Sequence, residues 1–350
     1  MFLEREDMKK AFSSYVANLH SVFLVHGKKS YISCGAKSLL DEIITSHDLN
    51  CTEYEDFTEN PKKEDVDAGV ELLVKCKPEI IIAVGGGSVM DMAKLIRYYS
   101  GCQAQLLAMP TTAGTGAEST QFAVCYIDGV KHSICDRSIL PDDVFLFPQF
   151  THSNSRYLTC CAGFDALAQS IEAYWNINAT QESDVYALRA MSAIFPILNK
   201  GVLSLEDRIE LMRGANDAGR AINITRTTVP HALSYTLTSK YGYPHGHAVA
   251  LSFPFFFKYN LEGGKDLFMG KDYDVFAGKM NFMRQLLGID GEPCQTMKNY
   301  VKQLGLGFDV NKDFDDMTVV KGLNLERAKN TPIAINEQVI VEAVKSIRNL

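Results

Sequence analysis

The chain of 350 residues is long enough for two domains, and its apolar content of 46% favours buried cores over disorder. A formal net charge of −7 gives no basic surface of the kind that binds nucleic acid, so we expect no nucleic-acid partner. The charged amino terminus MFLEREDMKKAF and the short apolar runs, all under the ~18 residues that span a bilayer, predict a cytoplasmic protein without membrane contact. Nine cysteines without a C-x-x-C pair indicate reduced packing residues.

Strand and helix patterns alternate in the first part of the chain. SVFLVHG (21–27) and EIIIAVGGG (79–87) are typical of strands, with the helical pattern SLLDEIITSH (38–47) between them. This β-α-β order predicts a parallel sheet, which QLLAMP (105–110) extends. After residue 152 the patterns are helical, over 159–175, 183–198 and 205–222. We therefore predict an α/β plus all-α protein, with a Rossmann-like domain over 1–151 and a helical domain over 152–350.

Two loops follow predicted strands. The glycines at 85, 86 and 87 would let the backbone approach a ligand, and the N–H groups of the following helix could hold a pyrophosphate. A plain tight turn explains three glycines equally well. The second loop, PTTAGTGAES (110–119), offers hydroxyl and amide donors at the end of another predicted strand, and the pair of loops favours nucleotide binding.

The segment HALSYTLTSKYGYPHGHAVAL (231–251) holds three of the eight histidines. His231 and His245 are 14 positions apart, and His247 closes the sequence Pro-His-Gly-His. A histidine in an aromatic-rich segment is more often a hydrogen-bonded core or surface residue than a ligand, so this segment alone decides nothing.

A set of motifs, in this order, resembles the iron-containing (group III) alcohol dehydrogenases over about residues 20 to 345. The motifs are Gly-Gly-Gly-Ser-x-x-Asp-x-Ala-Lys (85–94), Pro-Thr-Thr-x-x-Thr-Gly-x-Glu (110–118), Gly-x-Asp-Ala-Leu (163–167), the His231 helix and Pro-His-Gly (244–246). The resemblance implies the fold shared with dehydroquinate synthase, NAD(P) on the two loops and a metal in the cleft between the domains.

The resemblance implies metal ligands at Asp165, His231 and His245, which are also the expected catalytic residues together with Tyr235. Gln169 stands where the family has a fourth ligand histidine, and an amide oxygen is a weaker ligand than imidazole. Fe²⁺ is favoured, and Zn²⁺ and Mn²⁺ also suit this set. Many members have a second histidine at the Tyr235 position, so the phenol is either a proton relay or a packing residue. His247 is either a relay near the metal or a surface residue.

The resemblance also implies a set of cofactor-binding residues: Gly27, Lys28, Lys29, Ser30, Gly86, Gly87, Ser88, Asp91, Thr111, Thr112, Thr115 and Lys131. Members that prefer NAD usually have an acid just after the first strand, where this chain has Gly27. Without that acid, and with two lysines following, NADPH is favoured and NADH is not excluded.

The substrate is expected to be a small anionic aldehyde. Arg226 lies five positions before His231 where members usually have small residues, so we predict that it binds an anion with Thr225 and Arg220. A salt bridge between the domains is the competing interpretation of Arg226. QSIEAYWNINATQES (169–183) most resembles the phosphonoacetaldehyde reductase branch.

We therefore expect metal-dependent, NAD(P)H-linked hydride transfer between nicotinamide and an aldehyde such as phosphonoacetaldehyde. A dehydroquinate synthase-like lyase with NAD and a metal is one alternative, and a non-catalytic nucleotide-binding protein is another. A homodimer is compatible with the sequence.

Overall fold

The computed structural model describes residues 5–323 and 325–350, which divide into two compact units. The first unit ends at Asn154 and also takes in Ser204–Met212, while the second consists of Ser155–Leu203 and Arg213–Leu350. The sequence prediction assigned residues 204–212 to the helical domain, 152–350. In the structure these residues group with the first unit, where Arg208 donates hydrogen bonds to the carbonyl oxygen and Oγ1 of Thr151, at 2.6 and 3.1 Å.

The first unit is an α/β structure. Its helices and strands are α1 (Arg5–Val16), β1 (Ser21–His26), α2 (Ser30–Ser33), α3 (Ala36–Ser46), β2 (Asn50–Tyr54), α4 (Lys63–Cys76), β3 (Ile80–Gly85), α5 (Gly87–Ser100), β4 (Gln105–Pro110), β5 (Phe122–Ile127), β6 (Val130–Cys135) and β7 (Asp143–Val144). Five strands form a parallel sheet in the order β2-β1-β3-β4-β7, and β5 pairs with β6 as an antiparallel hairpin. The predicted parallel sheet is confirmed, with β1, β3 and β4 at the expected positions.

Both faces of this sheet are buried by helices, because successive side chains of a strand point to opposite faces. Phe23 and Val25 of β1 belong to one apolar cluster, which includes residues of α4 and α5. Val22 and Leu24 belong to a second cluster, which includes residues of α1 and α3. The strand ends near the two predicted loops are therefore held from both sides.

The second unit is helical. Its helices are α6 (Arg156–Trp175), α7 (Gln181–Leu198), α8 (Leu205–Thr225), α9 (Val229–Tyr241), α10 (His245–Glu262), α11 (Tyr273–Leu286), α12 (Pro293–Gln303), α13 (Asp316–Lys321), α14 (Leu325–Ala328) and α15 (Glu337–Ile347), of which α8 begins in the first unit. The three predicted helices match α6, α7 and α8. Nearly every residue of α6 from Thr159 onward is buried, and α7 and α10 pack against it.

Within residues 5–323 and 325–350, helices with both the length and the apolar character of a membrane span are absent.

Candidate functional site

Three side chains of the second unit come together as a metal-ligand cluster. Asp165 lies in α6, His231 in α9 and His245 at the first residue of α10, and one ligand atom of each lies within 4.8 Å of the other two. Nε2 of His231 is 3.0 Å and Nε2 of His245 is 3.8 Å from Oδ1 of Asp165. One carboxylate and two imidazoles are a donor set that suits Fe²⁺, Zn²⁺ or Mn²⁺. The structure thus brings together the three predicted ligands.

Glu172, which the sequence interpretation missed, supports the cluster from behind. Its Oε1 lies 2.5 Å from Nδ1 of His231, while its Oε2 accepts hydrogen bonds from the backbone N–H and the hydroxyl of Thr228, at 2.6 and 2.7 Å. A carboxylate that accepts the Nδ1 proton fixes the imidazole tautomer and leaves Nε2 to face the metal. The signal in the sequence was the spacing, because Glu172 follows Asp165 by seven residues and shares its helix face.

The ring of His245 is oriented in a similar way. The hydroxyl of Ser234 donates to the carbonyl oxygen of His231 at 2.8 Å, so its oxygen can accept the Nδ1 proton of His245, 3.3 Å away. This arrangement leaves Nε2 of His245 directed to Asp165. Both imidazoles therefore present Nε2 to one point, as a shared metal requires.

The electrostatics of the cluster favour a cation. Burial would raise the pKa of Asp165, but the imidazoles of His245 and His231 lower it below its usual range. Burial would lower the pKa of His231, yet the carboxylates of Glu172 and Asp165 raise it to about 9. The buried carboxylates thus stabilise positive charge at this point, and a divalent ion would supply it.

Gln169 lies one turn after Asp165 on α6 and is buried. It forms a hydrogen bond with the Asp165 carboxylate that helps to keep the pKa of Asp165 low. Because an ionised carboxylate only accepts, the amide nitrogen of Gln169 donates, and the buried Oε1 is the atom that could coordinate a metal. Its predicted part as a fourth ligand stays a prediction.

Gly246 allows the ligand-bearing end of α10 to approach α6. A Cβ at this position would lie 1.9 Å from the carbonyl oxygen of Cys161 and 3.0 Å from Cβ of Asp165. Only glycine fits at this distance. The Pro-His-Gly motif therefore combines the predicted metal ligand His245 with the close contact that positions it.

Tyr235 lies one helical turn after His231, with its ring nearly parallel to that of His245 at a centroid distance of 6.4 Å. Burial raises the pKa of its phenol, although a hydrogen bond and the positive charge from Arg327 act in the opposite direction. Arg327 was not among the predicted site residues, and its Cζ lies 5.7 Å from the centre of the Tyr235 ring.

His247 has a structural position. It is buried, with Nδ1 2.7 Å from the hydroxyl of Tyr157 and Nε2 2.9 Å from the carbonyl oxygen of Gly307. A carbonyl only accepts, so Nε2 carries the proton and Nδ1 accepts from Tyr157. The surface interpretation of His247 was wrong, because these two contacts hold the ring in the interior.

The predicted substrate residues occupy different settings. Oγ1 of Thr225 lies 3.2 Å from the carbonyl oxygen of Ala221 and 2.8 Å from that of Arg226, and its single proton is directed to these two acceptors, so it caps the end of α8. Arg226 is exposed and has a left-handed φ of 64°. Arg220 is exposed, with its Cζ 5.7 Å from the ring of Tyr186 in α7. The substrate roles of Arg226 and Arg220 stay predictions, and the Thr225 hydroxyl serves the backbone.

In the first unit the two predicted nucleotide loops lie against each other. β3 ends at Gly85 and α5 begins at Gly87, and the N–H of Thr111 donates to the carbonyl oxygen of Gly85 at 2.9 Å. A Cβ on Gly87 would lie 3.1 Å from Cγ2 of Thr115, and one on Gly86 would lie 3.6 Å from Oγ1 of Thr112. The structure therefore assembles these residues at one end of the sheet, where the N-terminus of α5 can accept a phosphate.

Asp91 and Lys94 of α5 connect these loops to the hairpin. Oδ2 of Asp91 accepts a hydrogen bond from the N–H of Val124 at 3.1 Å. Burial raises the pKa of this carboxyl to about 6, although Lys94, the hydrogen bond from Val124 and Lys131 each lower it. Lys94 is fully buried and donates to Oγ1 and the carbonyl oxygen of Thr120 and to the carbonyl oxygen of Phe122. Ser88 accepts a hydrogen bond from the backbone of Asn60 at 3.3 Å. Within the motif 85–94, Lys94 thus fixes the loop that follows the threonines.

A carboxylate from the segment after β2 pairs with the turn that follows β1. Gly27 donates its N–H to the carbonyl oxygen of Val84 at 3.3 Å, and Lys28 pairs with Asp56 at 3.1 Å, both side chains being exposed. Gly27 takes the place of an acid directly after β1, as the sequence indicates, but Asp56, which follows the neighbouring strand β2, brings a carboxylate to Lys28. Because Asp56 offsets part of the positive charge of Lys28, the expected preference for NADPH over NADH is reduced. Lys29 and Ser30 lie at the start of α2, and their contacts with the cofactor stay predictions.

Comparisons with known proteins agree with this arrangement. The family model "Iron-containing alcohol dehydrogenase" matches residues 4–148, and "Fe-containing alcohol dehydrogenase family, C-terminal" matches residues 159–345.

A phosphonoacetaldehyde reductase of Streptomyces viridochromogenes is 32% identical over 53% of this chain and 54% of its own length. Aldehyde-alcohol dehydrogenase 2 of Entamoeba histolytica is 26% identical over 89% of this chain and 39% of its own length. The chain thus spans about two fifths to half of the length of these curated relatives. A crystal structure of an iron-containing alcohol dehydrogenase from Thermotoga maritima superimposes with a TM-score of 0.82 at 25% identity, covering 98% of this chain and 96% of that one.

Proposed function

We propose that this chain, which belongs to the iron-containing alcohol dehydrogenase family, reduces a small anionic aldehyde such as phosphonoacetaldehyde to the corresponding alcohol with NADPH or NADH. The observation that carries the proposal is the cluster of Asp165, His231 and His245. The similarity to a phosphonoacetaldehyde reductase supports the choice of substrate.

The cluster would hold a divalent metal, with Fe²⁺ favoured and Gln169 as the expected fourth ligand. When bound, the metal supplies a Lewis acid for the aldehyde carbonyl, and the nicotinamide supplies the hydride. Glu172 holds the His231 ring through Nδ1, and Ser234 holds the His245 ring in the same way. The protein's contribution at this point is a fixed set of donor atoms that need not reorganise.

Tyr235 is the residue that can deliver the proton. Burial raises the pKa of its phenol, so the hydroxyl stays protonated at neutral pH. Since the guanidinium of Arg327 can only donate, it donates to Oη of Tyr235 and leaves the phenolic proton for the oxygen of the product alcohol. This assignment develops the relay interpretation of Tyr235 over the packing one.

The first prediction tests the reaction and the metal together. Enzyme reloaded with Fe²⁺, Zn²⁺ or Mn²⁺ is given phosphonoacetaldehyde or propionaldehyde, and loss of NADPH or NADH is followed by absorbance. We expect stoichiometric loss of the reduced cofactor. His245→Ala should lower both metal content and kcat by about 100-fold or more, because a ligand is lost.

His132→Ala is the matched control, since His132 is an exposed histidine on β6 in the other unit. It should retain metal and activity. Normal metal content and turnover in His245→Ala would overturn the cluster as the metal site. A cofactor that turns over without net oxidation would instead indicate a lyase, and no turnover with any aldehyde would favour a non-catalytic protein.

A further inference from the structure

Arg327 lies close to the metal cluster although it is distant from it in the sequence. It belongs to α14, which packs against α9, the helix that carries His231 and Tyr235. Its Cζ is 5.7 Å from the centre of the Tyr235 ring, and that ring is 6.4 Å from the ring of His245. One aromatic ring therefore separates the guanidinium from a metal ligand.

Two hydroxyl oxygens orient the guanidinium of Arg327. Nη1 donates to Oγ1 of Thr227 at 2.6 Å, and a second hydrogen bond goes to the phenol of Tyr235. A guanidinium carries five N–H donors in a planar fork, and hydroxyl acceptors leave its positive charge in place. The two hydroxyls hold the fork in a fixed orientation, as recognition of a planar or tetrahedral anion requires.

We propose that Arg327 is the residue that recognises the anionic group of the substrate. In a two-carbon aldehyde with a terminal phosphonate, the anion is joined to the carbon next to the carbonyl. If the carbonyl oxygen of the aldehyde is at the metal, its anionic group must therefore lie close to the metal ligands, at a distance that the length of one side chain can bridge. Arg327 is a cation in contact with Tyr235, so an anion bound by Arg327 would lie on the side from which Tyr235 would supply the proton. The proposal rests on the proposed function and adds the specificity-determining residue.

Arg226 is the competing candidate, and the structure gives it a different setting. It occupies the left-handed position after α8, its side chain is exposed, and its carbonyl oxygen accepts a hydrogen bond from Nδ2 of Asn176 at 3.1 Å. The neighbouring threonines are also engaged: Thr227 accepts from Arg327, and Thr228 donates to Glu172. The cluster of donors that the sequence suggested around Arg226 is thus used to hold the turn between α8 and α9.

A purely structural part for Arg327 needs a separate control, because its bond to Thr227 also holds this turn. Asn330 provides that control, since its Nδ2 donates to the carbonyl oxygen of the same Thr227 at 3.0 Å. Asn330→Ala removes a comparable tether without removing a charge. Arg327→Gln removes the charge and keeps an amide donor for Thr227.

The experiment compares three variants of the metal-loaded enzyme, Arg327→Gln, Arg226→Ala and the turn control Asn330→Ala, with phosphonoacetaldehyde and propionaldehyde as substrates. We expect Arg327→Gln to lower kcat/KM for phosphonoacetaldehyde by about 30- to 1000-fold more than that for propionaldehyde. Both substrates lose the bond between Arg327 and the Tyr235 hydroxyl, but only phosphonoacetaldehyde also loses charge-assisted hydrogen bonds to its anion. Asn330→Ala and Arg226→Ala should change the two substrates equally and weakly.

A binding measurement gives a second readout. Calorimetric titration of 2-hydroxyethylphosphonate into the metal-loaded enzyme with oxidised cofactor should show weaker binding in Arg327→Gln by a similar factor. Equal losses for both aldehydes in Arg327→Gln, or a selective loss in Arg226→Ala instead, would overturn the assignment of Arg327 while leaving the reductase function intact. Failure of the unsubstituted enzyme to oxidise NADPH or NADH with either aldehyde would overturn the proposed function itself.

Discussion

At the scale of single residues, Glu172 fixes the orientation in which the His231 ring would bind a metal. Its two oxygens serve different partners, since Oε1 faces Nδ1 of His231 and Oε2 accepts from two donors of Thr228. The hydroxyl of Thr228 in turn accepts from the indole N–H of Trp175 at 3.2 Å. The only tryptophan of the chain therefore belongs to the network that orients a metal ligand.

Glu172→Gln should weaken metal binding by about 10- to 100-fold, as expected for loss of a carboxylate behind a ligand histidine. An amide has only one acceptor oxygen, so it cannot accept from both His231 and Thr228. The measurement is the dissociation constant for Zn²⁺ or Mn²⁺ by competition with a chromogenic chelator. Glu182→Gln, at an exposed position in the first turn of α7, is the control, and equal affinity in both variants would contradict the positioning part of Glu172.

The predicted metal ligands have a local signal in the sequence, whereas the proposed anion-binding residue Arg327 has none. Asp165, His231 and His245 belong to short motifs whose residue types are those of a metal site. Arg226 was chosen because it is near His231 in the chain, but its left-handed φ of 64° belongs to a helix end and its side chain is exposed. Arg327 reaches the site only because α14 packs on α9, and such a contact leaves no local signal.

At the scale of elements, the packing of α10 on α6 determines where His245 lies. Gly246→Ala should lower the free energy of unfolding by about 2–4 kcal/mol, because the new Cβ would meet a backbone oxygen that cannot move aside easily. Urea unfolding and metal content should be measured together, and both should fall.

Gly278→Ala is the matched control, since Gly278 lies within α11 and a Cβ there meets nothing within 4 Å. It should be neutral or stabilising by up to about 1 kcal/mol, because alanine favours a helix over glycine. If Gly246→Ala unfolded at the same urea concentration as Gly278→Ala, the close contact between α10 and α6 would not be a constraint on the fold.

Some elements could not be found from hydrophobic patterns. β2 is at the edge of the sheet, and its sequence NCTEY is largely exposed or half-buried, so it lacks the apolar run that marked β1 and β3. In the hairpin, the residues of β6 are mostly exposed. The helices α4 and α5 pack against the other strand, β5, and bury part of it. Burial in these places follows from neighbours that are distant in sequence.

At the scale of the whole molecule, a metal would connect three helices of the second unit. Its ligands come from α6, α9 and α10, so binding should oppose unfolding. With free metal at about 100 times its dissociation constant, we expect a gain of about 2.7 kcal/mol and a rise of about 5–10 °C in Tm.

The measurement is calorimetry before and after removal of the metal with a chelator. The transition of the unsubstituted protein should fall on chelation, and that of His132→Ala should fall equally. The transition of His245→Ala should not respond. An identical Tm with and without metal in the unsubstituted protein would mean that the cluster does not bind the ion in the folded state.

The division of the chain into two units could be predicted from sequence patterns only in part. The shift from alternating to helical patterns near residue 152 agrees with the end of the first unit at Asn154. Ser204–Met212 also belongs to the first unit, and the hydrogen bonds of Arg208 in this segment to Thr151 join positions far apart in the chain. A helical pattern alone cannot reveal that α8 contributes to two units.

The buried ammonium group of Lys94 has a consequence for the chemistry of the first unit. Burial lowers the pKa of Lys94 to about 8, which would make an exposed amine a good nucleophile at neutral pH. Instead, its Nζ is enclosed and donates to three oxygens of Thr120 and Phe122. Acylating reagents can therefore reach this amine only when the first unit opens, so the rate of its modification reports how often that opening occurs.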